Sequence, residues 1–232
     1  MTPSTEAWDA VGASPELATL AQRFVLRSRT LLVGNRQWTL EMPCSAEDLI
    51  SEADFERDER LPYWADLWPS AIVLSRAIAA LDGRGRSAIE LGAGLGLPSL
   101  AALEAGFAVT ATDYYADALL FARRNAVRIF GRDLSTALVD WRAMPQDLGR
   151  FDLVLAADVL YERPYAPLVA RAVIGLLAPD GVALIADPGR VALQACLEEC
   201  RALGATVRTH DVVPHEDGAA KHTITIHEVR LG

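Results

Sequence analysis

Lysine is all but missing from these 232 residues: Lys221 is the only one, and 22 basic residues face 31 acidic ones for a net charge of −9. A protein that grips duplex or transfer RNA presents a basic face to the phosphates, so this balance disfavours nucleic acid as a partner. The shortage also removes the lysine of a phosphate-binding loop, which argues against a nucleoside triphosphate. Cysteine is scarce as well. Cys44 stands alone and Cys196 and Cys200 lie one helical turn apart, an odd set with no third ligand, which reads as buried free thiols. The four histidines crowd the C-terminal end, and His222 and His227, five apart, face opposite sides of a strand. No metal site is expected. No apolar run is long enough to span a bilayer, and MTPSTEAWDAVG lacks the basic region and apolar core of a secretory signal. We therefore expect no membrane partner and a cytoplasmic location. With 51% hydrophobic and 23% charged residues, the chain is long enough for one compact unit with a sizeable core.

What the chain does have is concentrated in Ser87–Asp113, SAIELGAGLGLPSLAALEAGFAVTATD. A short apolar run, Ala88 and Ile89, ends in Glu90, and glycines follow at alternate positions: Gly92, Gly94 and Gly96. A helix-compatible run begins at Leu97 and closes at Gly106, and a second strand, Phe107–Thr112, delivers Asp113. Glycines let the backbone turn tightly and let a ligand approach without a Cβ in the way. An acid about 20 residues past the glycines, at the tip of the next strand, can accept from a ribose hydroxyl. A dinucleotide fingerprint would place its third glycine where Leu97 stands; the pattern is instead E-x-G-x-G-x-G. An adenosine ligand without a pyrophosphate fits this turn, and S-adenosylmethionine is the common one.

Ser14-Pro15-Glu16 reads as a helix start, with Ser14 as cap and an apolar side reaching about Arg27. TLLVG and RQWTLEM flank Gly34-Asn35 as a hairpin. Ser45–Arg60 is strongly acidic and suits a short helix and a loop. We treat residues 1–60 as an N-terminal extension and residues 61–232 as the main compact domain. In LPYWADLWPSAIVLSRAIAAL, Trp64 reads as a plug at the sheet edge, and Pro69 sits where a helix could begin. After Asp113-Tyr114 come an amphipathic helix, Ala116–Phe130, and a third short strand, Ser135–Val139, ending in Asp140-Trp141. That acid and indole could flank an adenine, or serve as a capping Asp and a half-buried Trp. FDLVLAA, Phe151–Ala157, is the nearly all-apolar run of a central strand. Strand VALIAD follows the turn Pro179-Asp180-Gly181. A helix over Val191–Leu203, a strand over Ala205–Val213, a polar turn over His215–Ala220 and a strand over His222–Val229 close the chain. The fold class is α/β: a three-layer sandwich around a Rossmann-like, seven-stranded, mostly parallel sheet with one antiparallel strand.

Ligands of such sheets sit beyond the carboxyl ends of the strands, where Glu90, Asp113, Asp140 and Asp158 all fall. Three stretches, LPYWADLWPSA, ELGAGLGLPSL and AADVLYE, resemble the class I (seven-strand) S-adenosylmethionine-dependent methyltransferases, and within them the methyltransferase-16 family of protein lysine methyltransferases. The resemblance spans roughly Leu61 to Arg190. It implies cofactor contacts by Trp68, Gly92, Gly94, Asp113, Trp141 and Ala157. Glu90, Ala93, Gly96, Tyr114 and Asp140 complete the expected cofactor set as the acid, turn and strand-tip neighbours of those positions. D-V-L-Y resembles the family's D-x-x-Y signature and implies Asp158 and Tyr161 at the acceptor as catalytic residues. Related enzymes acting on adenine or glutamine amides often show Asn-Pro-Pro-Tyr there, which this chain lacks. ADPGR, Ala186–Arg190, also looks like the branch acting on the β subunit of electron-transfer flavoprotein. The expected activity is N-methylation of a protein lysine, with S-adenosylhomocysteine as product. Two alternatives are a small-molecule, nicotinamide-like amine as acceptor and a non-catalytic cofactor-binding module. A carboxylate and a phenol suit an amine acceptor, because methyl transfer needs an oriented lone pair more than covalent help.

Overall fold

The computed structural model describes residues 15–44 and 62–232. The Ser14 cap and the expected short helix and loop over Ser45–Arg60 lie outside the described residues. Helix α1 (Pro15–Arg23) precedes an antiparallel hairpin of β1 (Leu26–Val33) and β2 (Arg36–Pro43). Gly34 and Asn35 form its two-residue turn, with Gly34 at φ 56° and Val33 paired to Arg36. Helix α1 stops at Arg23 rather than Arg27 because Leu26 and Arg27 are already rungs of the hairpin, opposite Pro43 and Met42.

A 3-10 turn over Tyr63–Ala65 leads into α2 (Pro69–Ile78), where a proline at the helix start costs no hydrogen bond. The alternating unit follows: β3 (Ser87–Leu91), α3 (Leu97–Glu104), β4 (Ala108–Asp113), α4 (Ala116–Phe130) and β5 (Ser135–Leu138). After a 3-10 turn over Trp141–Ala143 come β6 (Phe151–Ala157), α5 (Tyr165–Leu176), β7 (Leu177–Asp187), α6 (Leu193–Ala202), β8 (Ala205–Asp217) and β9 (Ala220–Leu231). The strand order is β5-β4-β3-β6-β7-β9-β8, and β9 alone runs antiparallel to its neighbours. This is the expected seven-stranded sheet.

Side chains alternate across it, which makes the three layers. Leu153, Leu155 and Ala157 of β6 join the core under α2, α3, α4 and the hairpin, while Val154 and Ala156 face α5 and α6. From β3 the chain winds outward through β4 and β5, then returns to β6 on the other side of β3. The crevice at that reversal is where such a fold places a ligand.

Boundaries later in the chain also differ from the sequence reading. Strand β7 begins at Leu177, so Pro179-Asp180-Gly181 lies within it as a bulge: Phe151 pairs with Leu177 but Leu153 with Val182. The closing hairpin is longer than expected. His215 pairs with His222 and Asp217 with Ala220, inside what reads as a polar turn. Strand β8 lies at the sheet edge and is mostly exposed, so polar residues carry no penalty there. Cys196 and Cys200 are buried and free, whereas Cys44, just beyond the end of β2, is exposed.

The hairpin is fastened to the main sheet by a buried polar clamp. Asn125 of α4 accepts from the Glu41 N–H at 2.8 Å and donates to the Glu41 carbonyl at 3.0 Å. The Glu41 carboxylate meets Arg124 at 2.6 Å and Arg128 at 2.9 Å, and Arg124 also donates to the Leu17 carbonyl. All three of Glu41, Arg124 and Asn125 are buried. Buried charges persist when they are paired and hydrogen-bonded, and these are.

Candidate active site

Beyond the carboxyl ends of β3, β4 and β6 lies a cavity of about 350 Å³. Of the residues expected to hold a cofactor or act on an acceptor, all but Gly96 line it. The glycine turn forms its floor. Gly92, Gly94 and Gly96 have φ of 64°, 51° and 79°, a region that side-chain-bearing residues avoid. A Cβ on Gly92 would come within 3.0 Å of Val159 and 3.3 Å of the Trp141 ring, both part of the cavity wall. One on Gly96 would strike the Ala122 methyl at 2.6 Å, so that glycine serves the contact of the turn with α4.

The two acids flanking the turn hold its shape. Glu90 is buried, and its carboxylate accepts from the Ser99 N–H at 2.8 Å and the Ser99 hydroxyl at 2.5 Å, tying the start of α3 to the end of β3. Desolvation outweighs those bonds and pushes its pKa up to about 8, with the nearby Asp113 charge adding to the rise. Asp113 accepts from the Gly94 N–H at 2.8 Å and the Tyr115 N–H at 2.9 Å, and burial raises its pKa too. A carboxylate has about four acceptor sites. With a third backbone bond from Tyr114, the Asp113 carboxylate still retains an acceptor site for a ligand hydroxyl.

On the far wall, Asp140 lines the cavity and also makes the capping contact offered as its alternative role. Its carboxylate is engaged by Arg142, two residues on, at 2.7 to 3.0 Å, and it caps the short turn by accepting from the Arg142 N–H. The Arg142 guanidinium in turn lies 5.5 Å from the Tyr114 ring centre. Trp141 is half-buried and meets Tyr165 edge-on at 5.7 Å. Tyr165 contacts Tyr161 at 5.4 Å, and Tyr161 contacts Tyr63 at 5.1 Å, so a chain of aromatic rings borders one side of the cavity. Trp64 is buried against Phe121 and also lines the cavity, and its carbonyl lies 3.1 Å from where a Gly94 Cβ would be.

Asp158 sits at the centre of this wall. It is the only non-glycine residue with positive φ, 60°, among the described residues. That conformation costs an ordinary residue roughly 1–2 kcal/mol, and asparagine and aspartate tolerate it better than most. The turn lifts the carboxylate off the end of β6, where it accepts from Arg190 Nε at 2.6 Å and from the Ser70 hydroxyl at 3.1 Å. Arg190 lies over the Trp68 ring at 5.4 Å, and the Trp68 indole N–H donates to the Tyr63 carbonyl at 2.8 Å. Asp187, at the end of β7, builds the loop behind Arg190 by accepting from the Gly189 and Arg190 N–H groups at 2.7 and 2.6 Å.

Ser70, Asp187 and Arg190 join the site beyond the residues expected from the sequence. Asp187 and Arg190 lie in ADPGR, where an Asp two residues before a Gly is the signal of an Asx turn. Ser70 carried no such signal. Among the described residues no group of three or more His, Cys, Asp or Glu side chains could hold a metal ion, and no helix is long and apolar enough to cross a membrane.

Residues 54–194 match the family model Methyltransf_16, described as lysine methyltransferase. Mouse protein N-lysine methyltransferase METTL21A is 39% identical over 105 residues, 42% of this chain and 48% of that protein. Mouse EEF1A lysine methyltransferase 3 is 34% identical over 139 residues, 56% of this chain and 58% of that protein. The mouse electron transfer flavoprotein beta subunit lysine methyltransferase is 30% identical over 135 residues, 56% and 51% of the two chains. The chain thus spans about half the length of the curated relatives it matches. Among solved structures, the T. thermophilus 16S rRNA N2 G1207 methyltransferase superposes with a TM-score of 0.63 at 15% identity, covering 89% of this chain and 51% of that one. A precorrin-6y C5,15-methyltransferase from Geobacter metallireducens gives 0.56 at 18% identity, covering 70% and 86%. At such identities these two speak for the fold, and the family model supplies the rest. With the glycine turn, the strand-tip acids and D-V-L-Y gathered on one cavity inside the matched segment, the chain belongs to the Methyltransf_16 family of lysine methyltransferases.

Proposed function

We propose that the protein is an S-adenosylmethionine-dependent N-methyltransferase whose acceptor is the side-chain amine of a protein lysine. The observation that carries this reading is the single cavity that joins the glycine turn to Asp158 and Tyr161. Gly92 and Gly94 line the cavity at positive φ and without side chains, so a cofactor there can lie against bare backbone. The backbone of Gly92 and Gly94, the Asp113 carboxylate and the Trp141 ring would hold it. When bound, S-adenosylmethionine supplies a methyl group already activated on a sulfonium.

The chain's own residues then have three tasks. Asp158, with 7% of its surface exposed, presents a carboxylate that can hold an ammonium at the cavity wall and orient it once it has given up a proton. The rings of Tyr63, Tyr161, Tyr165 and Trp141 exclude water around that point. Positioning of this kind is worth several orders of magnitude in rate, because it turns an encounter into a held geometry. The atoms balance simply: the nitrogen loses a proton and gains the methyl, and the sulfur keeps the electron pair of the broken bond.

The protein acceptor is favoured by the family model, described as lysine methyltransferase, and by relatives named for methylating protein lysines. We extend the reading to a cytoplasmic protein with residues 1–60 as an extension to the catalytic domain. A lysine on a flavoprotein subunit, as in the name of one relative, is one acceptor within this class. The test is Asp158→Ala, which should abolish transfer while S-adenosylhomocysteine binding by calorimetry stays within threefold. Surviving transfer would remove Asp158 from the mechanism.

A further inference from the structure

A carboxylate beside an aromatic face is a site for a cation, and in this structure that site is filled by the chain itself. Arg190 Nε lies 2.6 Å from Asp158 Oδ1, and the same guanidinium lies 5.4 Å from the Trp68 ring centre. Tyr63 closes the group, 6.1 Å from Trp68. Both the carboxylate and the indole contribute attraction to a cation there. The Asp158 side chain is 3% exposed but the Arg190 side chain 36%. The carboxylate is thus a fixed part of the wall and the arginine a half-exposed visitor. Its backbone is held by Asp187, while the preceding Gly189 has φ 95° and open space where a Cβ would be. On its other side Arg190 borders a second cavity of about 470 Å³, between the two hairpins, which also touches Trp68 and Asp158. A guanidinium leaving Asp158 has room there.

We propose that Arg190 is an internal occupant of the acceptor's cation site, so that an acceptor must arrive as a cation to displace it. Resting on the lysine reading above, this makes Arg190 a specificity-determining residue. A lysine ammonium replaces one positive charge on Asp158 with another and leaves the buried carboxylate paired. A neutral ring nitrogen or amide cannot, because it would strand the carboxylate without a counter-charge. The bound ammonium then releases its proton to solvent, and only the free amine carries the lone pair that forms the N–C bond.

The test uses n-butylammonium, which has the end of a lysine side chain, titrated by NMR into the full chain, with n-butanol as the neutral control. Arg190→Ala and the longer, uncharged Arg190→Gln should each bind butylammonium at least tenfold more tightly than the unmodified protein. The gain should vanish when Asp158→Asn is added, and n-butanol binding should not change. Unchanged or weaker butylammonium binding in whichever variant retains the native melting temperature would overturn the proposal, because Arg190 would then build the site instead of occupying it. No methyl transfer enters this measurement. A failure here is therefore separate from a failure of the methyltransferase reading, which would show as no labelled protein in a transfer assay.

Discussion

Replacing Glu90 by Gln should remove a pH dependence that the wild-type fold carries through its glycine turn. Burial raises the Glu90 pKa from 4.5 to about 8, against the pull of two bonds from Ser99. Between those values the folded chain keeps a proton that the unfolded chain releases. Stability from this group is therefore complete below pH 4.5, falls as pH rises toward 8, and levels off above it. At about 1.4 kcal/mol per pH unit, the full interval is worth on the order of 5 kcal/mol. For a chain of this size that corresponds to roughly 10–20 °C in melting temperature. The assay is thermal unfolding of wild type and Glu90→Gln from pH 5 to 9, read as the difference between them so that other titrating groups cancel. The wild type should lose ground steadily to the variant up to about pH 8. A difference that stays flat across that range would mean Glu90 ionises as an ordinary carboxylate, and the burial argument would be wrong.

Other substitutions separate the scaffold from the site. Asn125→Ala leaves the Glu41 N–H and carbonyl without their partner, which should cost about 1–3 kcal/mol per orphaned group in denaturant unfolding. Gly96→Ala drives a Cβ into Ala122 at a positive φ and should cost roughly 3 kcal/mol by the same measurement. Gly92→Ala should instead act on the ligand. Its Cβ meets Val159 and Trp141, and calorimetry should show S-adenosylhomocysteine binding weakened by about tenfold or more, ~1.4 kcal/mol.

The sheet was legible because its strands advertise themselves. FDLVLAA is apolar on both faces because β6 lies between two helical layers, and the glycine turn can only sit where backbone must bend sharply. The acids were legible as a group, since all lie at or just beyond strand ends that share one edge. Their partners were not. Asp158 meets Arg190 from the end of β7 and Ser70 from the start of α2, and pairings made across the fold leave no local pattern. Asn125 likewise gave no sign of the backbone clamp it makes on β2. Asp140 shows the opposite case: its partner Arg142 lies two residues away, so the capping contact was within reach of the sequence. At the chain's end, burial patterning could not mark β8, whose edge position leaves most of its residues exposed.

Methylation of a protein amine through Asp158 and the glycine turn leaves its mark on protein. The most direct measurement incubates the purified protein with methyl-labelled S-adenosylmethionine and a lysate lacking it, then separates protein from small molecules, with Asp158→Ala in parallel. The expected result is a labelled protein band, a modified lysine within it by mass spectrometry, and no band with Asp158→Ala. Label confined to the small-molecule fraction, or a band that persists with Asp158→Ala, would contradict it.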